Sequence, residues 1–267
     1  MRQRRIRLRR TSRDGGLGGT GLLRPGGLDM KALITGATGL VGSHVAEALV
    51  RAGARVRCLA RPAADSRFLA SLGAELFDGD VTQAASLLKA AEGMDIIVHS
   101  AALVADWGNW EDFRRINVEG TRNTLVAAQQ AGARRFIHIS TVAVHRGRRL
   151  RKRLPGEGFI AEEAALGRPP VRDWYSRSKI EAEKLVRSFQ DRMAICVLRP
   201  GWVYGERDRR MLPALESLLR RGRGFIVGSG NNPTTLVYAG DVAEAAVLAS
   251  NSPRAVGEAY HLVPQEP

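Results

Sequence analysis

The chain has 267 residues, 44% of them hydrophobic, a formal net charge of +14 and only two cysteines. That length holds one large domain, or a domain with a smaller lobe, around a sizeable core. It carries no disulfide framework and no metal-ligand spacing, and no apolar run reaches the length of a membrane span.

Aromatic residues are only 6% of the chain, while Gly, Ala, Val and Leu are abundant, which suits close helix-on-sheet packing better than a β-sandwich. Cys58 and Cys196 each lie inside an apolar run and read as buried thiols, which fits a reducing, cytoplasmic compartment. The charge is unevenly spread: residues 1–29 hold eight arginines and two aspartates, so +6 of the +14 sits there. A second basic cluster comprises Arg146, Arg148, Arg149, Arg151, Lys152 and Arg153. Both a solvated loop and an anion-facing surface fit it. No aromatic interleaving or recognised module accompanies these charges, so no specific nucleic-acid partner is expected.

Taken in chain order, residues 1–29 combine arginine blocks with glycine pairs and little apolar periodicity, and are expected to be a disordered basic leader. Met30 is read as the functional start. From Lys31 onward, short apolar strands alternate with amphipathic helices. Strands are expected at Ala32–Thr35, Arg55–Ala60, Ala74–Phe77, Asp95–Ser100, Arg135–Ser140 and Ala194–Arg199. Helices are expected at Leu40–Ala52, Trp110–Ala131 and Trp174–Phe189. Apolar runs of this kind, separated by helices, predict an α/β fold with a doubly wound parallel sheet (Rossmann). The expected division is a dinucleotide-binding domain over residues 30–200 and a partial substrate lobe over 201–267, interleaved with the last sheet elements.

Thr35-Gly36-Ala37-Thr38-Gly39-Leu40-Val41-Gly42 joins the first strand to the first helix. The first glycine allows a tight turn, the second a close approach of backbone to a pyrophosphate, and the third close packing of helix on sheet. The helix N-terminus presents free N–H groups and its positive dipole to the phosphates. At the end of the second strand an acidic residue would bind the ribose hydroxyls of NAD, but this chain has Ala60-Arg61-Pro62. A guanidinium suits a 2′-phosphate, so NADP(H) is favoured and NAD(H) stays open.

Tyr175-Ser176-Arg177-Ser178-Lys179 opens a helix, and the spacing of four puts Tyr175 and Lys179 on one face. A free phenol has a pKa near ~10 and is a poor base at neutral pH, but a neighbouring ammonium favours the phenolate. Tyr175 can then exchange a proton with a substrate hydroxyl or carbonyl. Ahead of it, a buried strand ends in Ser140-Thr141 at the carboxyl edge, where ligands bind in open α/β sheets.

Together these residues resemble the extended short-chain dehydrogenase/reductase family, also called the NAD-dependent epimerase/dehydratase family. The resemblance runs from Met30 to about Val263. Thr35–Gly42 resembles the family's glycine motif. Asp78-Gly79-Asp80-Val81 resembles the segment whose aspartate contacts the adenine. His99-Ser100-Ala101-Ala102 resembles the loop under the cofactor, and Asn117-Val118-Glu119-Gly120-Thr121 the helix motif in which the asparagine has a structural or relay role. Leu198-Arg199-Pro200 through Val203-Tyr204-Gly205 resembles the loop that closes over the nicotinamide. Val237 to Val242 resembles a late motif near the substrate lobe.

The resemblance implies Tyr175 as general acid/base, Lys179 as the residue that lowers its pKa and binds the nicotinamide ribose, and Thr141, with Ser140 as backup, on the reacting oxygen. It implies cofactor contacts from Gly36, Thr38, Gly39, Leu40, Val41, Gly42, Arg61, Asp80, Val81, Ala101, Ala102, Asn117, Pro200 and Val203, besides Tyr175 and Lys179, and no metal. The reaction implied is hydride transfer at a secondary alcohol or ketone of a small-molecule substrate. A nucleotide-sugar epimerase or dehydratase, and a non-catalytic dinucleotide sensor, are the alternatives. A homodimer is left open.

Two features depart from the family pattern. Nucleotide-sugar members carry Arg-Asp before the late motif, where this chain has Thr234 and Thr235, and the loss of that guanidinium argues against a sugar nucleotide. The stretch Gly228 to Asn232 and the Arg61 ending are closer to the 3β-hydroxysteroid dehydrogenase, dihydroflavonol reductase and hopanoid-associated epimerase-like branches. Family members also continue for tens of residues beyond the strand expected at Ala259–Val263, so a small, short or truncated C-terminal substrate lobe is expected. His44, His99 and His138 read as core or packing residues. Trp107 and Trp110 line a pocket or simply pack, and Glu162 and Glu163 fall on a surface loop, with Glu163 able to reach the pocket mouth.

Overall fold

A computed structural model describes residues 29–147, 160–224, 229–231 and 234–264. The expected leader up to residue 28, the basic cluster beyond Arg146, and Gly228 and Asn232 lie outside the described residues. Strand and helix alternate as β1 (Lys31–Thr35), α1 (Leu40–Arg51), β2 (Arg55–Ala60), α2 (Arg67–Ser71), β3 (Glu75–Asp78), α3 (Ala84–Ala91) and β4 (Ile96–His99). The next helical stretch is α4 (Trp110–Phe113), a π-helical segment Arg114–Glu119, and α5 (Gly120–Gln130). Then come β5 (Arg135–Ile139), α6 (Trp174–Arg187), β6 (Ala194–Pro200), β7 (Trp202–Tyr204), α7 (Met211–Arg220), β8 (Leu236–Tyr238), α8 (Ala239–Asn251) and β9 (Ala259–Leu262).

Seven strands form a parallel sheet in the order β3-β2-β1-β4-β5-β6-β9. The order reverses between β1 and β4, which opens a crevice at the carboxyl edge of the sheet. Successive side chains of each strand point to opposite faces, so both faces can be buried. Ile34, Cys58, Val98, Ile137 and Leu198 pack with residues of α1 and α8, while Leu33, Leu59, Ile97, Phe136 and Val197 pack with residues of α3, α5 and α6. This two-sided burial explains why the strands read as continuous apolar runs rather than alternating ones.

The chain beyond residue 200 re-enters this core. Strand β9 pairs with β6, and the Ala/Val-rich α8 contributes buried residues beside α1. Helix α7 stands outside it, while β7 and β8 pair in a separate two-stranded sheet whose Val203 and Val237 pack against the core. Helix α7 has no buried residue, and Leu212, Leu215 and Leu219 are exposed on it.

One long helix over Trp110–Ala131 is replaced by the helix–π–helix run. The Gly120 N–H reaches Arg115 O, the i→i−5 bond of a π turn. The wider turn brings Asn117, only 1% exposed, inward. Its Oδ1 accepts from Leu103 N at 2.6 Å, and its Nδ2 donates to Leu103 O at 3.0 Å and to Ser178 Oγ at 2.9 Å. A regular helix maximises backbone bonds, but here these three side-chain bonds fix the loop after β4 and helix α6 to each other.

Candidate functional site

The crevice at the switch point is built by the loops after β1, β2, β4, β5 and β6. Gly36 turns at φ +70°, and a Cβ there would sit 2.6 Å from Ala101 N, so the glycine loop lies directly on the Ser100–Ala102 loop. Ser100 Oγ adds a bond to Thr35 O at 2.8 Å. A Cβ on Gly42 would strike Gly36 O. Both glycines are therefore demanded by the protein's own backbone.

Gly39 differs. Its φ is −84°, which any residue adopts, and a Cβ there would meet one protein atom, Gly36 O at 3.2 Å. Gly39 is exposed, α1 begins without a side-chain cap, and its first turn carries no acidic residue. Space without a Cβ above an uncapped, un-neutralised helix N-terminus fits a pyrophosphate. Thr38, Leu40 and Val41 are half-buried around it. The residues present therefore suit a dinucleotide.

At the adenosine end, Arg61 is exposed at the end of β2, beside Asp78 and Gly79 of the neighbouring strand, where Gly79 N donates to Ala60 O. The Asp80 carboxylate is engaged by its own loop, accepting from Thr82 N and Thr82 Oγ1, both at 2.8 Å. Val81 is buried against Gly120. Ala101 and Ala102 are half-buried. Pro200 is buried in β6, and Val203 is half-buried in β7.

At the other end, α6 is started by Asp173, whose Oδ1 accepts from Ser176 N at 3.0 Å while Oδ2 accepts from Arg146 at 2.9 Å. Tyr175 and Lys179 follow on one face. Lys179 is 3% exposed, and its Nζ donates to Ile139 O at 2.8 Å. That carbonyl lies at the end of β5, so the ammonium sits at the strand edge beside Thr141. Burial lowers the Lys179 pKa to about 8, against the opposing pull of the Glu183 carboxylate. Burial raises the Tyr175 phenol above its ordinary value and the Asp173 carboxylate adds to that, while the Thr141 hydroxyl and the charge of Arg210 act in the opposite direction. Thr141 also accepts from Ala143 N at 3.2 Å, which fixes the turn after β5.

Ser140 is placed differently. Its Oγ donates to Glu183 Oε2 at 2.8 Å and is committed to a buried network. Glu183 and Arg199 are both wholly buried and pair through two contacts, Nη2 to Oε1 at 2.6 Å and Nε to Oε2 at 3.1 Å. Arg199 Nη1 lies 3.3 Å from the Nε2 atoms of His145 and His261, which are 3.1 Å apart, and donates to Glu162 O at 2.9 Å. Glu162 Oε1 accepts from His261 N at 3.3 Å, and Glu163 is exposed nearby.

The three histidines expected in the interior are all buried. His99 bonds Thr35 Oγ1 at 2.7 Å and Thr121 Oγ1 at 2.9 Å, and stacks on His138. His44 reaches Glu206 at 3.3 Å. Trp107 is 89% exposed, whereas Trp110 packs with Trp174 and Arg177. Thr234 and Thr235 are exposed ahead of β8. Cys58 and Cys196 are free and buried. No group of three or more His, Cys, Asp or Glu side chains that could hold a metal is found among the described residues, and no described helix is long and apolar enough to cross a membrane.

The sequence reading missed Glu183 and the His145–His261 pair. The signal for Glu183 was present: it stands four residues after Lys179, on the same helix face, and is charged where that face is buried.

Comparison with known proteins agrees with this geometry. The family described as the NAD dependent epimerase/dehydratase family matches residues 32–262. The chain is 31% identical over 244 residues to the 2-alkyl-3-oxoalkanoate reductase of Stenotrophomonas maltophilia (strain K279a), covering 89% of this chain and 72% of that protein. It is 29% identical over 252 residues to the 3-beta-hydroxysteroid dehydrogenase of Mycolicibacterium neoaurum, covering 89% and 66%. Among solved structures, the UDP-glucose 4-epimerase of Thermus thermophilus in complex with NAD superposes with a TM-score of 0.72 at 27% identity, covering 89% of this chain and 78% of that one.

Proposed function

Because the chain belongs to the NAD dependent epimerase/dehydratase family, and so to the NAD(P)-dependent enzymes, we propose that it is an NADP(H)-dependent oxidoreductase interconverting a ketone and a secondary alcohol on a small or lipid-like substrate. The observation that carries this reading is the placement of Tyr175 and the buried Lys179 one helical turn apart on α6, with Lys179 Nζ bonded to Ile139 O at 2.8 Å at the carboxyl edge of the sheet, where Thr141 follows in the chain. The names of the two relatives support it, one being a reductase and the other a dehydrogenase. An epimerase is the second reading, favoured by the likeness to the UDP-glucose 4-epimerase.

The dinucleotide, when bound, supplies or accepts the hydride. Gly36, Thr38, Gly39, Leu40, Val41 and Gly42 would hold its pyrophosphate, Asp80 and Val81 its adenine, and Ala101, Ala102, Pro200 and Val203 the remainder, with Lys179 on a ribose, while the buried Asn117 amide, bonded to Leu103 and Ser178, would act by fixing the loop beneath it. Arg61, exposed and with no acidic residue in its place, is the reason for preferring NADP(H). Residues 30–200 serve as the dinucleotide-binding domain, and residues 201–267 as a partial substrate lobe interleaved with the last sheet elements, α8 and β9. Two buried thiols fit a cytoplasmic enzyme.

Tyr175 works as the acid in the reductive direction. Its raised pKa keeps the phenol protonated in the resting protein, ready to donate to a carbonyl oxygen. As the carbonyl carbon gains the hydride, its oxygen takes the Tyr175 proton, and the phenolate left behind is stabilised by the Thr141 hydroxyl and by the Lys179 ammonium. Thr141 orients the same oxygen.

Turnover of NADPH with ketones is the test. Tyr175→Phe is expected to abolish turnover while NADPH binding persists, and near-normal turnover removes Tyr175 from the role. Net conversion of NADPH to NADP separates a reductase from an epimerase, which shows none. An unchanged preference for NADP in Arg61→Ala would overturn the cofactor assignment.

A further inference from the structure

Successive side chains from Glu206 to Arg209 fasten the segment between β7 and α7 to the dinucleotide-binding part of the molecule. Glu206 Oε2 accepts from Tyr238 Oη at 2.6 Å and lies 3.3 Å from His44 Nε2 on α1. Arg207 donates from Nε to Ser43 Oγ at 3.0 Å and from Nη2 to Glu47 Oε2 at 2.8 Å, both on α1. Its guanidinium carbon lies 4.0 Å from the centre of the Phe68 ring on α2. Arg207 is the only non-glycine among the described residues with a positive φ, 69°, so these contacts hold a strained backbone in place. Asp208 turns its carboxylate back and accepts from the backbone N–H groups of Arg210, Met211 and Leu212 at 2.8, 3.0 and 3.0 Å. Arg209 Nη2 then reaches Asp65 Oδ2 at 3.4 Å, on the loop that follows β2.

Asp65 is the first acidic residue after β2. The Ala64 N–H donates to Arg61 O at 2.8 Å and closes a turn, and Asp65 follows that turn directly. A free carboxylate there would repel a 2′-phosphate and accept hydrogen bonds from ribose hydroxyls instead. The Asp65 carboxylate is not free. Arg67 grips it with two parallel contacts, Nε to Oδ1 and Nη2 to Oδ2, both at 3.0 Å. Arg209 adds a second guanidinium from 144 positions along the chain. Two positive charges thus meet one negative charge, one residue beyond the turn that Arg61 begins. All of these side chains are exposed, so their mutual effect is modest and screened by salt.

We propose that Arg209 is a specificity-determining residue for the dinucleotide, masking the Asp65 carboxylate so that a 2′-phosphate is accepted beside Arg61. This rests on the reading of Arg61 as the residue that selects NADP(H), and adds to it a contribution from the chain beyond β6. Arg207 is the positioning residue, because its tethers to α1 and α2 set where Arg209 meets the loop.

The test is the calorimetric Kd of NADPH and of NADH in wild type, Arg209→Ala, Asp65→Asn and the double variant. In Arg209→Ala the unmasked carboxylate is expected to weaken NADPH binding but not NADH binding. The preference for NADPH then falls about 3–10-fold at low salt and less at high salt. Asp65→Asn and the double variant should keep at least the wild-type preference, because no carboxylate is left to mask. A loss of the tether alone would weaken both dinucleotides equally and leave their ratio unmoved. An unchanged ratio in Arg209→Ala overturns the proposal. The same fall in the double variant also overturns it, by placing Arg209 on the phosphate itself. A wild type without preference for NADPH overturns the reading of Arg61. If Arg209→Ala still shifts that ratio toward NADH through Asp65, the masking role stands, and if it does not, both fall. A wild type that prefers NADPH with a ratio blind to Arg209 keeps Arg61 and removes Arg209.

Discussion

Ser140 and Glu183 share a hydrogen bond of 2.8 Å, and through it the residue that follows β5 is joined to α6, the helix that carries Tyr175 and Lys179. Glu183 is held there as an anion. Burial pushes its pKa up, but the Arg199 guanidinium, the Ser140 hydroxyl and Arg187 outweigh burial and leave it below the ordinary value. Both members of the Glu183–Arg199 pair are wholly buried, so removing one strands the other without a counter-charge. Glu183→Ala is expected to cost about 3–5 kcal/mol of stability in urea unfolding, whereas replacing both residues with methionine restores part of it. A loss under about 1 kcal/mol in the single variant would mean that the pair is not buried as described.

The same guanidinium faces two imidazoles, and this gives the fold an acid limit. Burial first, and then the charge of Arg199, lowers His145 and His261 to about 4 each from an ordinary 6.5. Both are neutral in the native state and charged in the unfolded chain between those values. The unfolded state then binds more protons, so the stability they contribute is full above pH 6.5 and is lost as pH falls from 6.5 to 4. The loss is read as a drop in Tm that His145→Gln and His261→Gln each reduce. A Tm independent of pH over that window contradicts the placement of the two rings.

Two glycines of the same loop should respond oppositely to alanine. Gly42→Ala puts a Cβ onto Gly36 O and should destabilise the fold. Gly39→Ala meets only Gly36 O at 3.2 Å in a backbone conformation open to any residue, so its stability should stay within about 0.5 kcal/mol of wild type. Its affinity for NADPH should nonetheless fall about tenfold or more, because the methyl occupies the space over the helix N-terminus. Thermal unfolding with and without NADPH separates the two effects. Full NADPH affinity in Gly39→Ala would show that the dinucleotide does not approach there.

The contrast between those glycines shows what a sequence can and cannot reveal. The strands from Ala32 to Leu198 and the helices around Tyr175 were legible because each buries a patterned apolar face, and periodicity records that burial directly. The glycine loop and the Tyr175–Lys179 spacing were legible because local geometry alone brings their atoms together. The bonds of Ser140, His145 and Arg199 were not, since they join residues as far as 116 positions apart, as in the His145–His261 contact. The π turn was hidden as well, because the wider turn is stabilised by Asn117 reaching Leu103 and Ser178 rather than by any local preference.

Lys179 illustrates the cost of such a site. Burial lowers its pKa to about 8 from an ordinary 10.5, so the folded protein holds an ammonium in surroundings that disfavour the charge. The unfolded chain binds more protons between those two values, and the sign is therefore a gain in stability as pH rises from about 8 to 10.5. Removing the charge should stabilise the protein at neutral pH. The Lys179→Met variant loses the bond to Ile139 O as well as the buried charge, which leaves an expected net gain on the order of 1 kcal/mol near neutral pH. The gain should vanish near pH 10.5, where wild type has shed the proton, and NADPH turnover should be lost at every pH. Urea unfolding of the two proteins at about pH 7 and at pH 10.5 provides the comparison. A variant less stable than wild type at neutral pH would mean that the Lys179 ammonium is offset by contacts the fold needs, and that its burial is structural rather than a cost carried for catalysis.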